Sequence, residues 1–222
     1  MSAKKIEELL LSLFALALAG VSFNLFPAAQ AGIAKMSYLG SHILVPSVVL
    51  LIVVLILAIA RHHRRLSNRI LAGAAAGLIA TFGLEVIRAT SFHLGGMPGD
   101  MPQLLGVLLT DRFMLGPSAL STTLGYLYHF WNGISFGIVF AVLFGRKPIL
   151  WALVYAQLIG IGFLLSPAVK AMGIGFMGSQ MPAMPLTVVL AHLAYGVILG
   201  LLAKRWTKTS GWLFARGGGT DA

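Results

Sequence analysis

Six long apolar runs, separated by short polar or basic segments, constrain this chain more than any other feature. Apolar residues make up 58% of its 222 residues, and charged residues only 10%. A helix needs about 20 apolar residues to cross the hydrocarbon core of a bilayer, and only helices and closed barrels satisfy their backbone hydrogen bonds there. We therefore predict an all-α, polytopic membrane bundle of six transmembrane helices. The predicted spans cover residues 9–26, 43–60, 70–92, 121–144, 149–169 and 186–203.

The basic residues predict the orientation of these spans. The formal net charge is +10, but the basic residues form short clusters between the apolar runs rather than one basic surface, which argues against a nucleic-acid partner. Short cytoplasmic loops are enriched in Lys and Arg. Placing both termini in the cytoplasm puts 12 of the 16 basic residues on that side. These are Lys4, Lys5, Arg61, Arg64, Arg65, Arg69, Arg146, Lys147, Lys204, Arg205, Lys208 and Arg216.

The first apolar run has two interpretations. It is either a retained first helix or a signal sequence removed with residues 1–31, which would leave five helices and an external N-terminus. Glu7 and Glu8 precede the run and favour retention. We divide the chain into two N-terminal helices over residues 1–66, a four-helix core over 67–206, and a cytoplasmic tail over 207–222 for which we expect disorder.

The last four predicted helices contain a repeated pattern. His129, Gly133 and Gly137 have the spacing of His192, Gly196 and Gly200, and residues four apart share one helix face. Glycine in such rows lets helices pack closely, which turns each histidine toward a neighbouring helix. Each row follows a loop with two Met-Pro dipeptides and precedes a basic pair. We therefore predict a tandem two-helix repeat over residues 70–147 and 149–205.

Glu85, His129 and His192 are predicted to lie at one depth, roughly 9 to 12 Å below the outer boundary at 1.5 Å per helical residue. Ionisable residues inside a span usually mark functional sites. Two imidazoles and a carboxylate suit a transition metal such as copper, iron or zinc, and the same groups can exchange a proton. The supporting polar residues are Thr81, Arg88, Asn132, Gln157 and Tyr195.

Other interpretations of these residues stay open. The polar cluster can simply hold helices together in a structural or assembly subunit of a larger membrane complex, or it can serve a small ion or proton transporter. A metal-containing oxidoreductase is the least favoured class. The chain has no Gly-x-Ser-x-Gly or His-Glu-x-x-His motif, and it has no cysteine, so ordinary hydrolases and thiolate metal sites are disfavoured. We expect a binding protein rather than an enzyme.

The outer loops contain a second set of potential metal ligands. Thioethers bind Cu(I), so these residues could give a metal access to the deeper site from the outer face. Methionine is also an adaptable hydrophobic residue that can cap a helix bundle, and this second interpretation is favoured. The residues concerned are His93, Asp100, Met97, Met101, Met181 and Met184.

Residues 68–205 resemble the YagU-like group of small bacterial inner-membrane proteins. The resemblance rests on five short motifs: Ala-Ala-Gly-Leu-Ile-Ala at 75–80, Leu-Glu-Val at 84–86, His129 with Ile-Val-Phe-Ala-Val at 138–142, Ala-Gln-Leu at 156–158, and Ala-His-Leu at 191–193. It implies a location in the bacterial inner membrane and assigns no biochemical activity. The expected partners are the lipid bilayer and either other membrane subunits or a second copy of the chain.

Overall fold

A computed structural model describes residues 2–211 and residue 213. Within this part the chain is helical, apart from loops and one isolated bridge between Arg146 and Ser210, so the predicted all-α fold is confirmed. Six helices are long and apolar enough to span a membrane, as predicted, and one short helix lies between the third and fourth of them. The helices are α1 (Ala3–Gln30), α2 (Met36–Ala60), α3 (Arg64–His93), α4 (Met101–Leu109), α5 (Ala119–Phe144), α6 (Ile149–Ala171) and α7 (Ala183–Trp206).

Local sequence signals explain where two of these helices begin or break. At the start of α5, the Ser118 hydroxyl accepts a hydrogen bond from the backbone N–H of Ser121, and the Ser121 hydroxyl accepts one from the Ser118 N–H. This reciprocal cap satisfies two N–H groups that would otherwise lack partners. Helix α6 breaks between Leu164 and Pro167, because proline has no N–H to continue the helical hydrogen bonds.

Five of the long helices form a ring. Helix α3 packs against α5 on one side and against α7 on the other. Helix α5 also packs against α1, and α7 packs against α6. The last turn of α6, Pro167–Ala171, contacts α1 and closes the ring. Helix α2 lies outside the ring against α1 and α3, whereas α4 packs across α5.

The two ends of the bundle differ in chemistry. We call the end with residues 61–69, 144–147 and 204–210 the basic end, and the opposite end, with loops 94–100 and 172–182, the Met-Pro end. At the basic end, Arg61 Nε lies 2.8 Å from Glu7 Oε1, and Asn68 Nδ2 donates to the Trp206 carbonyl at 3.1 Å. The start of α1 and the end of α7 therefore lie on the same side of the bundle.

The glycine rows form the close helix contacts that were predicted for them. A Cβ placed on Gly137 would lie 2.7 Å from the Cα of Gly77, so α5 and α3 touch backbone to backbone. A Cβ on Gly196 would lie 3.0 Å from the Ala152 carbonyl oxygen, and one on Gly200 would lie 3.1 Å from the Ile149 Cα. Each glycine row thus packs its helix against the preceding long helix.

The structure does not confirm the tandem repeat. In an exact duplication, α6 would correspond to α3 and α7 would correspond to α5. Helix α6 would then pack against α5 as closely as α3 packs against α7. Instead α6 reaches α5 through aromatic side chains, and the Tyr155 hydroxyl donates to the Phe136 carbonyl at 3.0 Å. Helix α1 packs along α5 instead. The two helix pairs are therefore placed differently even though their glycine contacts correspond.

Arg69 organises the basic end. Its side chain is buried, and the guanidinium donates to the Val142 carbonyl at 2.9 Å and to the Gly211 carbonyl at 2.7 Å. Thr207 is buried as well. Residues 207–211 of the expected disordered tail are therefore packed against the bundle. The remainder of that tail, residue 212 and residues 214–222, lies outside the described residues.

Candidate functional site

Glu85 is the centre of a buried charged cluster. Arg88, one turn further along α3, places Nε 2.8 Å from Glu85 Oε2 and Nη2 2.5 Å from Glu85 Oε1. From α5, His129 Nε2 lies 3.2 Å from Glu85 Oε2. Two of the three residues predicted to form the site are therefore in contact, and Arg88 pairs with the carboxylate.

Asp100 joins the same cluster from the Met-Pro end. Its Oδ1 lies 3.1 Å from Arg88 Nη2, and the Tyr126 hydroxyl donates to its Oδ2 at 3.4 Å. Asp100 immediately precedes α4, so the loop between α3 and α4 brings it back over the end of α3. The sequence suggested Asp100 only as an outer-loop ligand near His93, and its contact with Arg88 was not foreseen.

His192 lies apart from this cluster. Its Nδ1 is 2.8 Å from the carbonyl oxygen of Val188, one turn earlier on α7. Because a carbonyl can only accept, Nδ1 carries the hydrogen and Nε2 is the acceptor of the neutral ring. Among the described residues, no ion pair joins His192 to Glu85. His192 and His129 both line one cavity inside the bundle, whereas Glu85 is not part of its wall.

That cavity, which we call the chamber, has a volume of about 510 Å³ and lies inside the ring of helices. All five ring helices contribute side chains to its wall. Its phenylalanines are Phe23, Phe26, Phe136 and Phe163. The main polar groups facing it are Asn24, Thr81, Arg88, His129, Asn132, Ser166, Thr187, His192 and Tyr195. A mostly apolar cavity of this size with a few polar groups is typical of small-molecule sites.

Three of the five supporting residues fix the walls of the chamber. The Thr81 hydroxyl donates to the Gly77 carbonyl at 2.7 Å. The Asn132 side-chain oxygen accepts from the Ser22 hydroxyl of α1 at 2.5 Å. The Tyr195 hydroxyl donates to the Gly133 carbonyl at 2.7 Å and so joins α7 to α5.

Of the two remaining supporting residues, Arg88 belongs to the charged cluster, whereas Gln157 lies away from it. It is on the contact between α6 and α7, where its amide donates to the Val189 carbonyl at 3.1 Å. It does not belong to the chamber wall.

The outer-loop residues pack as a hydrophobic roof at the Met-Pro end. Met97 and Met184 are buried with Leu164 and Val188, and Met181 packs beside them. Met101 packs against the cluster that contains Leu25, Phe26 and Leu105, whereas His93 is exposed at the end of α3. Over residues 2–211 and 213, no group of three His, Asp or Glu residues is arranged to hold a metal ion.

Sequence reasoning missed the contribution of α1 to the site. Ser12, Ala15, Ala19 and Ser22 are all buried and lie three or four residues apart. Small residues at this spacing mark a face that packs closely against other helices in lipid. This pattern was visible in the sequence and would have predicted that α1 packs against the core.

Together, the six apolar helices, the buried charged cluster and the chamber define a multi-pass α-helical membrane protein with a cavity inside its bundle. The chain belongs to a family of unknown function, DUF6789, whose model matches residues 67–212. The match includes α3 to α7, and therefore Glu85, Arg88, Asp100, His129 and His192, but not α1 or α2. No curated protein matches the chain significantly, and neither does any solved structure.

Proposed function

We propose that this membrane protein binds and releases a proton at the contact between Glu85 and His129. The observation that carries the proposal is the charge of the cluster. Two carboxylates, Glu85 and Asp100, contact one guanidinium, that of Arg88. His129 lies 3.2 Å from Glu85 and can supply the missing positive charge by taking up a proton.

The burial of the cluster makes this balance important. The side chains of Arg88, Glu85 and His129 are 6%, 14% and 16% exposed. An uncompensated charge away from water is costly, and an opposite charge within about 4 to 6 Å favours the charged form of its neighbour. A proton on His129 therefore stabilises the cluster, and its loss leaves one negative charge in excess.

The cluster also connects two environments. Asp100, with 19% of its side chain exposed, lies at the Met-Pro end, whereas His129 faces the chamber. Between them, Arg88 contacts both Asp100 and Glu85. A guanidinium keeps its protons, so Arg88 does not relay a proton; it couples the charge of Asp100, near the surface, to the contact between Glu85 and His129.

The site belongs to a protein that we place in the bacterial inner membrane, with the basic end in the cytoplasm. The distribution of Lys and Arg supports this orientation, and the YagU-like resemblance of residues 68–205 supports the membrane. On this orientation Glu85 and His129 lie in the outer half of the bilayer.

A bound copper, iron or zinc ion remains the sequence-based alternative. A metal site would require Glu85 to release Arg88. It would also require His192 to turn toward Glu85, since its Nδ1 now contacts the Val188 carbonyl. Metal analysis of purified protein tests it: stoichiometric metal that is lost in the double variant His129→Ala, His192→Ala would favour the metal over the proton.

A structural role is the second candidate, since the same contacts join α5 and the loop before α4 to α3. In a structural or assembly subunit, His129 would act only as a neutral cross-link.

Proton-coupled ion transport is an extension of the proposed function, and a pH-dependent flux in liposomes that disappears in Glu85→Gln would support it.

Ring NMR of ¹³C-histidine protein in micelles tests the proposal, with His129 assigned from His129→Gln. We expect His129 to gain and lose a proton reversibly, and this exchange to differ between the wild type and Glu85→Gln, because the nearby negative charge is removed. The control is His93→Gln at the exposed end of α3, which should leave the His129 titration unchanged. A His129 signal that does not titrate, or that titrates identically in Glu85→Gln, contradicts the proposal.

A further inference from the structure

A hydrogen-bond donor beside the chamber has no partner in the described part of the protein. Arg88 is only 5% exposed, and its Nη1 has no hydrogen-bond partner among the described residues. Arg88 is also part of the chamber wall. A buried N–H group without an acceptor costs free energy, so a ligand oxygen in the chamber would be stabilised at this position.

The charge of the cluster selects against anionic ligands. Arg88 already contacts both Glu85 and Asp100. The four groups therefore sum to zero when His129 is protonated and to one negative charge when it is not. Neither state offers a spare positive charge to a phosphate or a carboxylate. A neutral carbonyl or hydroxyl oxygen needs no such charge and can accept a hydrogen bond from Arg88.

The chamber opens toward the side of the bundle. Helix α1 has its main contact with α6 at the turn after the break, and not along the straight part, Ile149–Leu164. Asn24 on α1 and Gly162 on α6 both face the chamber and are both exposed. No atom lies within 4 Å of a Cβ placed on Gly162.

This opening lies where the acyl chains of a bilayer would be. At the Met-Pro end, by contrast, the chamber wall includes Met97, Met101 and Pro167. A ligand that reaches the chamber from the bilayer must have an apolar body, and phenylalanine rings provide the matching wall.

We infer that the chamber binds the compact head group of a neutral lipid that carries carbonyl or hydroxyl oxygens, with its apolar tail leaving between α1 and α6. One oxygen accepts from Arg88 Nη1, and Nε2 of His192 is available as an acceptor for a hydroxyl. Isoprenoid quinones and diacylglycerols share this chemistry. The inference goes beyond the proposed proton site and holds for either protonation state of His129.

Binding to purified protein in detergent tests the inference by native mass spectrometry. The probes are decylubiquinone and dioctanoylglycerol, with dioctanoyl phosphatidate as the anionic comparison. We expect saturable binding of one molecule of at least one neutral probe, about tenfold tighter than the phosphatidate. A preference between the two neutral probes identifies which source supplies the ligand.

A matched pair of variants locates the binding. Gly162→Trp places a large side chain in the opening, where there is free space, and should weaken binding about tenfold. Leu158→Trp lies one turn earlier on the exposed face of α6, outside the chamber, and should bind as wild type does.

Three results would overturn the inference: no saturable binding of either neutral probe, tighter binding of the phosphatidate, or equal affinity in Gly162→Trp and Leu158→Trp. The proposed proton site is tested by the His129 titration in wild-type protein without any lipid probe. Failure of lipid binding is therefore distinguishable from failure of the proposed proton site.

Discussion

The imidazole Nε2 of His129 lies 3.2 Å from the carboxylate Oε2 of Glu85, so that a contact between ionisable groups joins α5 to α3 inside the bundle. These residues are 44 positions apart in the sequence, and the crossing of α3 and α5 at Gly77, Gly133 and Gly137 brings their helices close enough to meet. The close packing and the charged cluster are therefore parts of one arrangement.

The charge of Asp100 should influence His129 although the two residues are not in contact. In Asp100→Asn, Arg88 is left with Glu85 alone, and the cluster is neutral without a proton on His129. We expect proton exchange at His129, followed by histidine ring NMR, to differ from that of the wild type. Asp111→Asn, an exposed acid at the same end, is the control; an equal shift in both variants would show that the effect is not specific to the cluster.

Replacing Gly137 should weaken the packing of α5 on α3. The Cβ of Gly137→Ala would lie 2.7 Å from the Gly77 Cα, and forcing extra atoms into a packed contact costs about 1 to 3 kcal/mol. We expect a lower midpoint of thermal unfolding in detergent. In Gly20→Ala the nearest atom, Phe23 Cζ, is 3.9 Å away, so this control should keep wild-type stability. Equal stability of the two variants would contradict the close crossing.

Arg69 should hold residues 209–211 against the basic end. Arg69→Met removes the donors to the Val142 and Gly211 carbonyls, and a buried acceptor without its partner costs about 1 to 3 kcal/mol. We expect lower thermal stability and faster proteolysis after Thr207. The exposed Arg64→Met variant should change neither measurement. Resistance of the Arg69→Met tail to protease would contradict this role.

The pair between Lys35 and Asp111 predicts a pH effect outside the spans. Asp111 accepts a hydrogen bond from Lys35 Nζ at 2.8 Å and attracts its charge, which raises the pKa of Lys35 above its usual value of 10.5. A group with a raised pKa stabilises the folded state at pH values below its unfolded-state pKa. This stability is lost as the pH rises through the folded-state pKa. Both side chains are exposed, so the effect on stability should be small.

Lysine ¹³Cε NMR measures this shift. We expect Lys35 to titrate at lower pH in Asp111→Asn, with the thermal unfolding midpoint at neutral pH unchanged. Lys170, which lies at the same end, should titrate identically in both proteins. An unchanged Lys35 titration would mean that the contact does not persist in solution.

The sequence predicted the helices well because crossing a bilayer requires one long apolar run for each span. Each of the six predicted spans lies within one long apolar helix, and the helices extend past the apolar runs; α3 starts at Arg64 rather than at residue 70. Polar residues at the ends of a span continue the helix without needing the membrane, so hydropathy alone places these boundaries too far inside.

Which helices are neighbours was harder to predict. The spacing of His129 and Gly133 shows that they share a face, but not which helix that face meets. The sequence suggested equal roles for His129 and His192, whereas the structure pairs His129 with Glu85 and leaves Nδ1 of His192 on its own helix. The contact of Asp100 with Arg88 depends on the path of a loop, for which the sequence has no periodic signal.

Pro167 has an architectural consequence. Because α6 breaks there, its final turn crosses to α1 instead of continuing along the α6 axis. A straight α6 would leave α1 and α6 separated over their whole length, and the enclosed volume would become an open cleft facing the acyl chains. Pro167 thus converts a row of packed helices into a ring that encloses the chamber and leaves an opening between α1 and α6.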